Sequence, residues 1–223
     1  MKIFKFQGHE FQISPEGILF WLEKEIAIVA DLHLEKGSSY ASGGQFIPPY
    51  DSQETLHNLI NSIEKNKVSE LILVGDIFHD QKALERMSED VRSLLKSLIK
   101  RYKTIFIRGN HDTSLILEGA YCCDEYVLEN IHFVHEASEK INNQISGHFH
   151  PVASLKIHSQ KILAKCLVVS KNSIILPSYG KYTGGLNINK PPLKKFININ
   201  SIIYLLNKSS VYKIPLNQMK DLH

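Results

Sequence analysis

The chain has 223 residues, with 26 Lys and Arg against 23 Asp and Glu, a formal net charge of +3. Its length suits one well-buried domain and is short for two, and no Ser/Gly-rich linker, repeat or low-complexity tract divides it, so a single domain over 1–223 is expected. The charge balance tolerates a polyanionic partner without demanding one, and three cysteines, two of them adjacent (Cys122 and Cys123), exclude a disulfide framework.

The opening stretch Met1–Gln7 alternates charged and apolar residues without the apolar centre of a signal peptide, and no apolar run approaches membrane-spanning length. A reducing cytoplasm and no membrane partner are expected. Ile3–Phe6 and Phe11–Ile13 read as short antiparallel strands that turn at Gly8. Glu25–Ala30 is an apolar run ending at Asp31, the pattern of a strand covered on both faces. Asp51 is placed to cap a helix, with Glu54 three residues later as in a capping box. Leu56, Leu59, Ile60 and Ile63 then form its apolar stripe.

Leu71–Val74, before Gly75-Asp76, repeats the buried-strand pattern. A second helix carries Leu84, Met87, Val91, Leu94, Leu95 and Leu98 and ends near Lys100-Arg101. Thr104–Ile107 is the third such strand, before Arg108-Gly109-Asn110. This β-α-β-α-β order places successive strands parallel in one sheet. Ile131–Val134, Gln144–Ser146, Ile162–Val169, Ser173–Leu176 and Ile202–Leu205 are strand-like with little helix between them. A sheet-on-sheet core with outer helices, an α/β fold, accommodates both halves. Lys190–Lys195, broken by two prolines, reads as a solvated loop.

Five polar clusters each follow an apolar run: Asp31-Leu32-His33, Gly75-Asp76, Gly109-Asn110-His111-Asp112, His135, and Gly147-His148-Phe149-His150. Together they hold the nitrogen and oxygen donors that bind a pair of divalent cations. Loops at the carboxyl ends of strands collect around one crevice. In an extended chain, residues i and i+2 face the same side, so Asp31 and His33 would reach one cation while Leu32 turns into the core. His148 and His150 would do the same while Phe149 turns away.

A consistent assignment gives one cation Asp31, His33, Asp76 and His150, and the other Asp76, Asn110, His135 and His148. Asp76 is the bridge, because cations about 3.5–4 Å apart need a shared anion. Two divalent cations with Asp31, Asp76 and a bridging hydroxide leave one net positive charge, enough to hold a phosphate and direct the hydroxide at phosphorus. His111, beside Asn110, is the candidate to protonate the leaving oxygen, and Asp112 either orients His111 or is a surface carboxylate. Arg108 is a candidate phosphate contact or a structural ion pair. Alone, each cluster has a structural explanation, a turn or a hydrogen-bonded histidine; the full donor set in order does not. His9, His57, His132, His158 and His223 are read as structural or solvated, and His79 is left open.

These same clusters resemble the calcineurin-like metallophosphoesterase superfamily. The resemblance implies a four-layer α-β-β-α fold, a central β-sandwich flanked by helices, with a dinuclear centre that hydrolyses phosphoesters. Further motifs are similar to ligase-associated DNA damage response endonucleases of the PdeM type. They are Asp31–Ser39 with Pro48-Pro49-Tyr50-Asp51, His135-Glu136, Ile145–Pro151, and Leu176–Leu186. That likeness implies two divalent metal ions, Mn2+ first with Fe or Zn as alternatives, and nucleic acid, DNA in particular, as substrate. It also implies a DNA ligase and a helicase as partners in repair. Tyr40, Tyr182 and Arg108 are then candidate substrate contacts, and Phe46 a second candidate to stack on a base. The segment Tyr40–Ile47 lacks the arginines expected there. A phosphatase or small-nucleotide phosphodiesterase is the alternative enzyme, since the same attack serves monoesters and diesters. A non-catalytic scaffold of the same fold is the third reading, against which the complete donor set and His111 argue.

Overall fold

Apolar side chains point alternately to the two faces of the central strands, and both faces are covered. The computed structural model describes residues 1–42, 44, 50–157 and 160–216, with only the backbone of Ser42, 155–157 and 160–162. Among them, β1 (Lys2–Phe6), β2 (His9–Ile13), β3 (Leu19–Trp21), β4 (Ile26–Ala30), β5 (Glu70–Val74), β6 (Lys103–Ile107) and β7 (Tyr121–Cys123) lie side by side in chain order. β1 to β4 pair antiparallel and β4 to β7 parallel.

A second sheet comprises β8 (Glu125–Leu128), β9 (Ile131–Val134), β10 (Gln144–Ser146), β11 (Pro151–Ile157), β12 (Gln160–Val169), β13 (Ser173–Ile175), β14 (Leu186–Asn187), β15 (Ile202–Asn207) and β16 (Ser210–Pro215). Its order is β14-β11-β12-β13-β10-β9-β8, with β15 pairing β12 and β16. Here β9, β10 and β13 run parallel.

Ile28, Ile72 and Ile105 of the first sheet meet Phe133, Ile145 and Leu167 of the second in one core. The opposite face of the same strands, through Ala27, Leu71, Leu73 and Phe106, packs under helices α2 (Asp51–Glu64) and α4 (Glu89–Arg101). Two short helices, α1 (Lys36–Ser42) and α3 (Ala83–Arg86), complete that layer. The outer face of the second sheet is thinly covered, with Leu193 and Phe196 of a 3-10 turn packing on Cys166 and Val168. This is the expected sandwich with outer layers, the fourth layer being slight.

Three local expectations are corrected. Asp51 does not cap α2: it is the first helical residue, Tyr50 occupies the cap position, and the Asp51 carboxylate accepts the amide of Gly37 in α1. Glu54, expected to reach back as in a capping box, pairs instead with Lys181. The second helix is split at Met87-Ser88, because Ser88 accepts the amide of Val91 at 3.4 Å and starts α4 afresh.

The hairpin at Gly8, the three buried strands and the stripe of α2 stand as read. The strands β3, β7, β8, β11, β14 and β16 are additions. They are short or two-sided, and their residues become strand-like only when a neighbour pairs with them. Phe133 is fully buried between the sheets, so Phe133→Ala should lower unfolding free energy by about 3–5 kcal/mol. Urea denaturation with an unchanged m-value is the check.

Candidate metal centre

Six parallel strands, three from each sheet, end on one rim. β4, β5 and β6 deliver Asp31, Asp76 and Asn110-His111; β9 and β10 deliver His135 and His148-Phe149-His150; β13 leads into Pro177-Ser178. A parallel bridge between Ala30 and Ser178 joins the two sheets here.

The motifs are not extended. Asp31, His33, Asp76, His148 and His150 have φ of 53°, 46°, 44°, 67° and 46°. This left-handed backbone is uncommon outside glycine, although Asp and His adopt it more readily than most residues. It costs of order 1–3 kcal/mol per residue and persists where surrounding structure imposes it. The result still resembles the expected division of side chains, with Leu32 and Phe149 buried.

Carboxylates lace the loops together. Asp31, wholly buried, accepts the amide of His148 on Oδ2 at 2.9 Å. Asp76 accepts the amide of His111 on Oδ1 at 2.9 Å. Gly109 packs so tightly on Asp76 that a Cβ there would collide with its carboxylate and amide.

Two groups of donors result. Asp31, His33 and His150 each offer an atom within 4.8 Å of the others, and so do Asp76, His135 and His148. His33 Nε2 faces His150 Nε2 at 3.3 Å, and His150 Nε2 lies 3.5 Å from Asp31 Oδ1. His148 Nδ1 faces His135 Nε2 at 3.1 Å, and His135 Nε2 lies 3.4 Å from Asp76 Oδ2. Metal bonds of about 2.0–2.2 Å place neighbouring donors about 3.0–3.6 Å apart, so these separations fit a cation in each group. The other ring nitrogens of two of these histidines, His33 Nδ1 and His135 Nδ1, are buried without a hydrogen-bond partner.

The electrostatics favour ligation. Burial, helped by the neighbouring His150, pushes His33 down to about 3, leaving a neutral imidazole lone pair. Burial and His135 likewise hold His148 low. Burial opposes ionisation of Asp76, but His135 and the amide of His111 outweigh it and keep the carboxylate charged. His135 is pulled the other way: burial lowers it, yet Asp76 and Asp31 together raise it. A cation bound there would replace that proton.

Asn110 is exposed and precedes His111, whose amide Asp76 accepts. His111 is also exposed; its Nδ1 lies 2.6 Å from the carbonyl of His79, and its Nε2 lies 3.9 Å from Asp76 Oδ2. Because a carbonyl only accepts, Nδ1 carries the proton and Nε2 is left for chemistry. The rings of His79 and His111 stack at 5.6 Å. His33, His79 and His111 form a further donor group, so His79, left open by sequence, belongs to the site. Its position three residues after Asp76 is the signal that could have found it.

Asp112 does not orient His111 and is not on the surface. It is fully buried, and its oxygens accept the amides of Gly109 at 2.6 Å, Ile77 at 2.7 Å and Phe78 at 3.2 Å. Burial raises its carboxyl even so. Its role is to clamp the Asp76 loop to the Asn110 loop. Arg108 donates to Asp124 through Nε and Nη2 at 2.8 Å, the structural pairing that was its other reading. Tyr40 lies 5.7 Å from the His79 ring. Tyr182 is exposed, with φ 56°. Phe46 lies outside the described residues, as do His158 and His223. His132 pairs with Glu125, and His9 packs on Trp21, as structural histidines do.

Comparison with known proteins bears on the family and the fold. The pattern described as calcineurin-like phosphoesterase matches residues 24–209. No curated protein sequence matches. Among solved structures, Pseudomonas putida nuclease MPE is similar at a TM-score of 0.73 and 22% identity, covering 96% of this chain and 99% of that one. The phosphoesterase YfcE of E. coli gives 0.44 and 13%, over 86% and 99% of the two chains. Vps29 of Entamoeba histolytica with Zn2+ gives 0.38 and 12%, over 85% and 96%. The first likeness establishes a shared fold; the other two are too distant to add to it.

Replacing Asp112 by Ala strands three buried amides and should lower stability by roughly 2–4 kcal/mol. The outcome is read by thermal denaturation of the metal-free protein. Unchanged stability with lost activity would return Asp112 to a catalytic role.

Proposed function

Since the chain belongs to the calcineurin-like phosphoesterase family, whose chemistry is metal-dependent phosphoester hydrolysis, we propose that it is a two-metal phosphodiesterase cleaving DNA. The observation that carries this is the pair of converging donor groups on one rim. Asp31, His33, Asp76 and His150 would hold one cation and Asp76, Asn110, His135 and His148 the other, with Mn2+ as the ion we assign. Bound divalent cations supply an activated water nucleophile and neutralise charge that grows on the phosphoryl oxygens.

The chain's own residues do the rest. His111 presents Nε2 toward Asp76 while Nδ1 is held by the His79 carbonyl. Doubly protonated, it donates its Nε2 proton to the departing oxygen. His79, stacked on His111, fixes that ring, and Asp112 holds the loop on which it rides. Tyr40, 5.7 Å from the His79 ring, and the exposed Tyr182 are assigned as contacts for the substrate's bases. A repair setting beside a ligase and a helicase draws support from the PdeM-type motifs in Asp31–Ser39 and Leu176–Leu186.

The pairing of rim cations favours a second reading. Lys181 pairs with Glu54, Arg108 with Asp124 and Arg86 with Asp80, which leaves fewer free charges for a long phosphate backbone. A small-nucleotide phosphodiesterase or phosphatase contacts fewer phosphates and needs fewer.

Side-by-side hydrolysis of single-stranded DNA, duplex DNA, RNA, and monoester and diester reporters under one Mn2+ condition separates these readings. Activity confined to monoesters or nucleotides would refute the nuclease. Bis(p-nitrophenyl) phosphate should be hydrolysed with Mn2+ and spared after chelation; inertness with every divalent metal would favour the scaffold. His111→Ala should reduce turnover about 10²–10⁴-fold without loss of bound Mn2+ by elemental analysis. Asp76→Asn should weaken both cations together, and clean loss of one would contradict the bridge.

A further inference from the structure

Between β13 and β14 the chain runs as an irregular strap, Leu176 to Gly185, across the carboxyl ends of both sheets. Its first part is bound to the Asp31 loop: Tyr179 donates its amide to Ala30 O at 2.8 Å and Gly180 to Asp31 O at 3.1 Å. Gly180 lies against Leu32 so closely that a Cβ would collide with the Leu32 carbonyl. Its last part is bound to the His150 loop: the Gly184 carbonyl lies 3.2 Å from His150 Nδ1, and the Leu186 amide donates to His150 O at 3.1 Å. One short segment thus touches two of the three residues in the donor group Asp31, His33 and His150, and the backbone of Leu32, which links Asp31 to His33.

An irregular segment has no ladder to satisfy its carbonyls. Lys165, on β12, supplies the partner. Its Nζ donates to Ser178 O at 2.7 Å and to Gly180 O at 2.9 Å. Thr183 Oγ1 adds a third tie, donating to Gly180 O at 3.1 Å while lying 2.7 Å from Ser178 Oγ. The ammonium is a costly group to bury, and burial pushes it down to about 8, against the pull of Asp31. Methionine would fill similar volume without that cost, so the amine's use lies in its donors.

We propose that Lys165 is a positioning residue for the cation held by Asp31, His33 and His150, acting by pinning the strap that ties the Asp31 loop to the His150 loop. This rests on the metal reading of the preceding subsection. The second donor group, Asp76, His135 and His148, has no hydrogen bond to the strap among the described residues, so the direct effect falls on the first group and reaches the second only through the Asp31–His148 contact.

The test is calorimetric titration of metal-free protein with Mn2+, comparing the unaltered chain with Lys165→Met. One of two binding events should weaken about 10–100-fold, the usual effect of removing a residue that orients ligands, while the other changes clearly less. Equal weakening of both events, or of neither, overturns the strap proposal and leaves the metal centre standing. Absence of Mn2+ binding by the unaltered chain overturns both. If Lys165→Met does not fold, Thr183→Val, which removes the other tie on Gly180 O, is titrated with the same deciding outcomes.

Discussion

A carboxylate on the first sheet accepts an amide from the second: Asp31 Oδ2 and the amide of His148 are 2.9 Å apart. Everything else at the site depends on this cross-sheet contact. Asp31 leaves β4 and His148 leaves β10, strands that belong to different sheets. Two sheets packed face to face by apolar side chains can slide by small amounts, because dispersion and the hydrophobic effect are weakly directional. A buried, charge-assisted hydrogen bond is directional. It registers the two rims against each other, and the Ala30–Ser178 bridge repeats the registration one residue away.

The loops are laced on the same principle. Asp76 takes the amide of His111, and Asp112, on the other loop, takes the amides of Ile77 and Phe78. Each buried carboxylate thereby finds donors, without which it would be prohibitively expensive. These bonds also hold the left-handed conformations of Asp31, His33, Asp76, His148 and His150. Backbone strain and buried charge, both unfavourable alone, are here imposed by one network. That network crowds imidazole nitrogens and carboxylate oxygens to within 3.1–3.5 Å of one another. It is an arrangement suited to a positive ion.

The crevice divides into a stiff floor and a more open rim. Asp31, His33, Asp76, Asp112 and His135 are buried, whereas Asn110, His111 and Tyr182 are exposed. Most of the cation ligands lie on the floor, where burial keeps the His33 imidazole neutral and the Asp76 and Asp31 carboxylates pull His135 the other way, and Asn110 reaches in from the rim. A proton donor belongs on the rim, where it can reach a leaving oxygen and recover its proton from solvent.

Much of this was legible in the chain of letters. The buried strands β4, β5 and β6 announce themselves because both faces are apolar, and the polar residues that follow them must lie on one rim once the strands are parallel. Donor types and their order are chemical properties of the residues and need no coordinates. What required the folded molecule is everything set by contacts between distant segments. The left-handed backbone of the motifs arises from cross-loop hydrogen bonds, not from Asp-Leu-His itself. Asp112 looks like a partner for its neighbour His111, yet its carboxylate is captured by amides of another loop. Asp51 looks like a cap and serves Gly37 instead. Lys165 and Ser178 are ordinary residues in sequence, and only their meeting in space makes one the support of the other. Local pattern is written in neighbours along the chain; a hydrogen bond between loops depends on a closeness in space that no spacing in the sequence encodes.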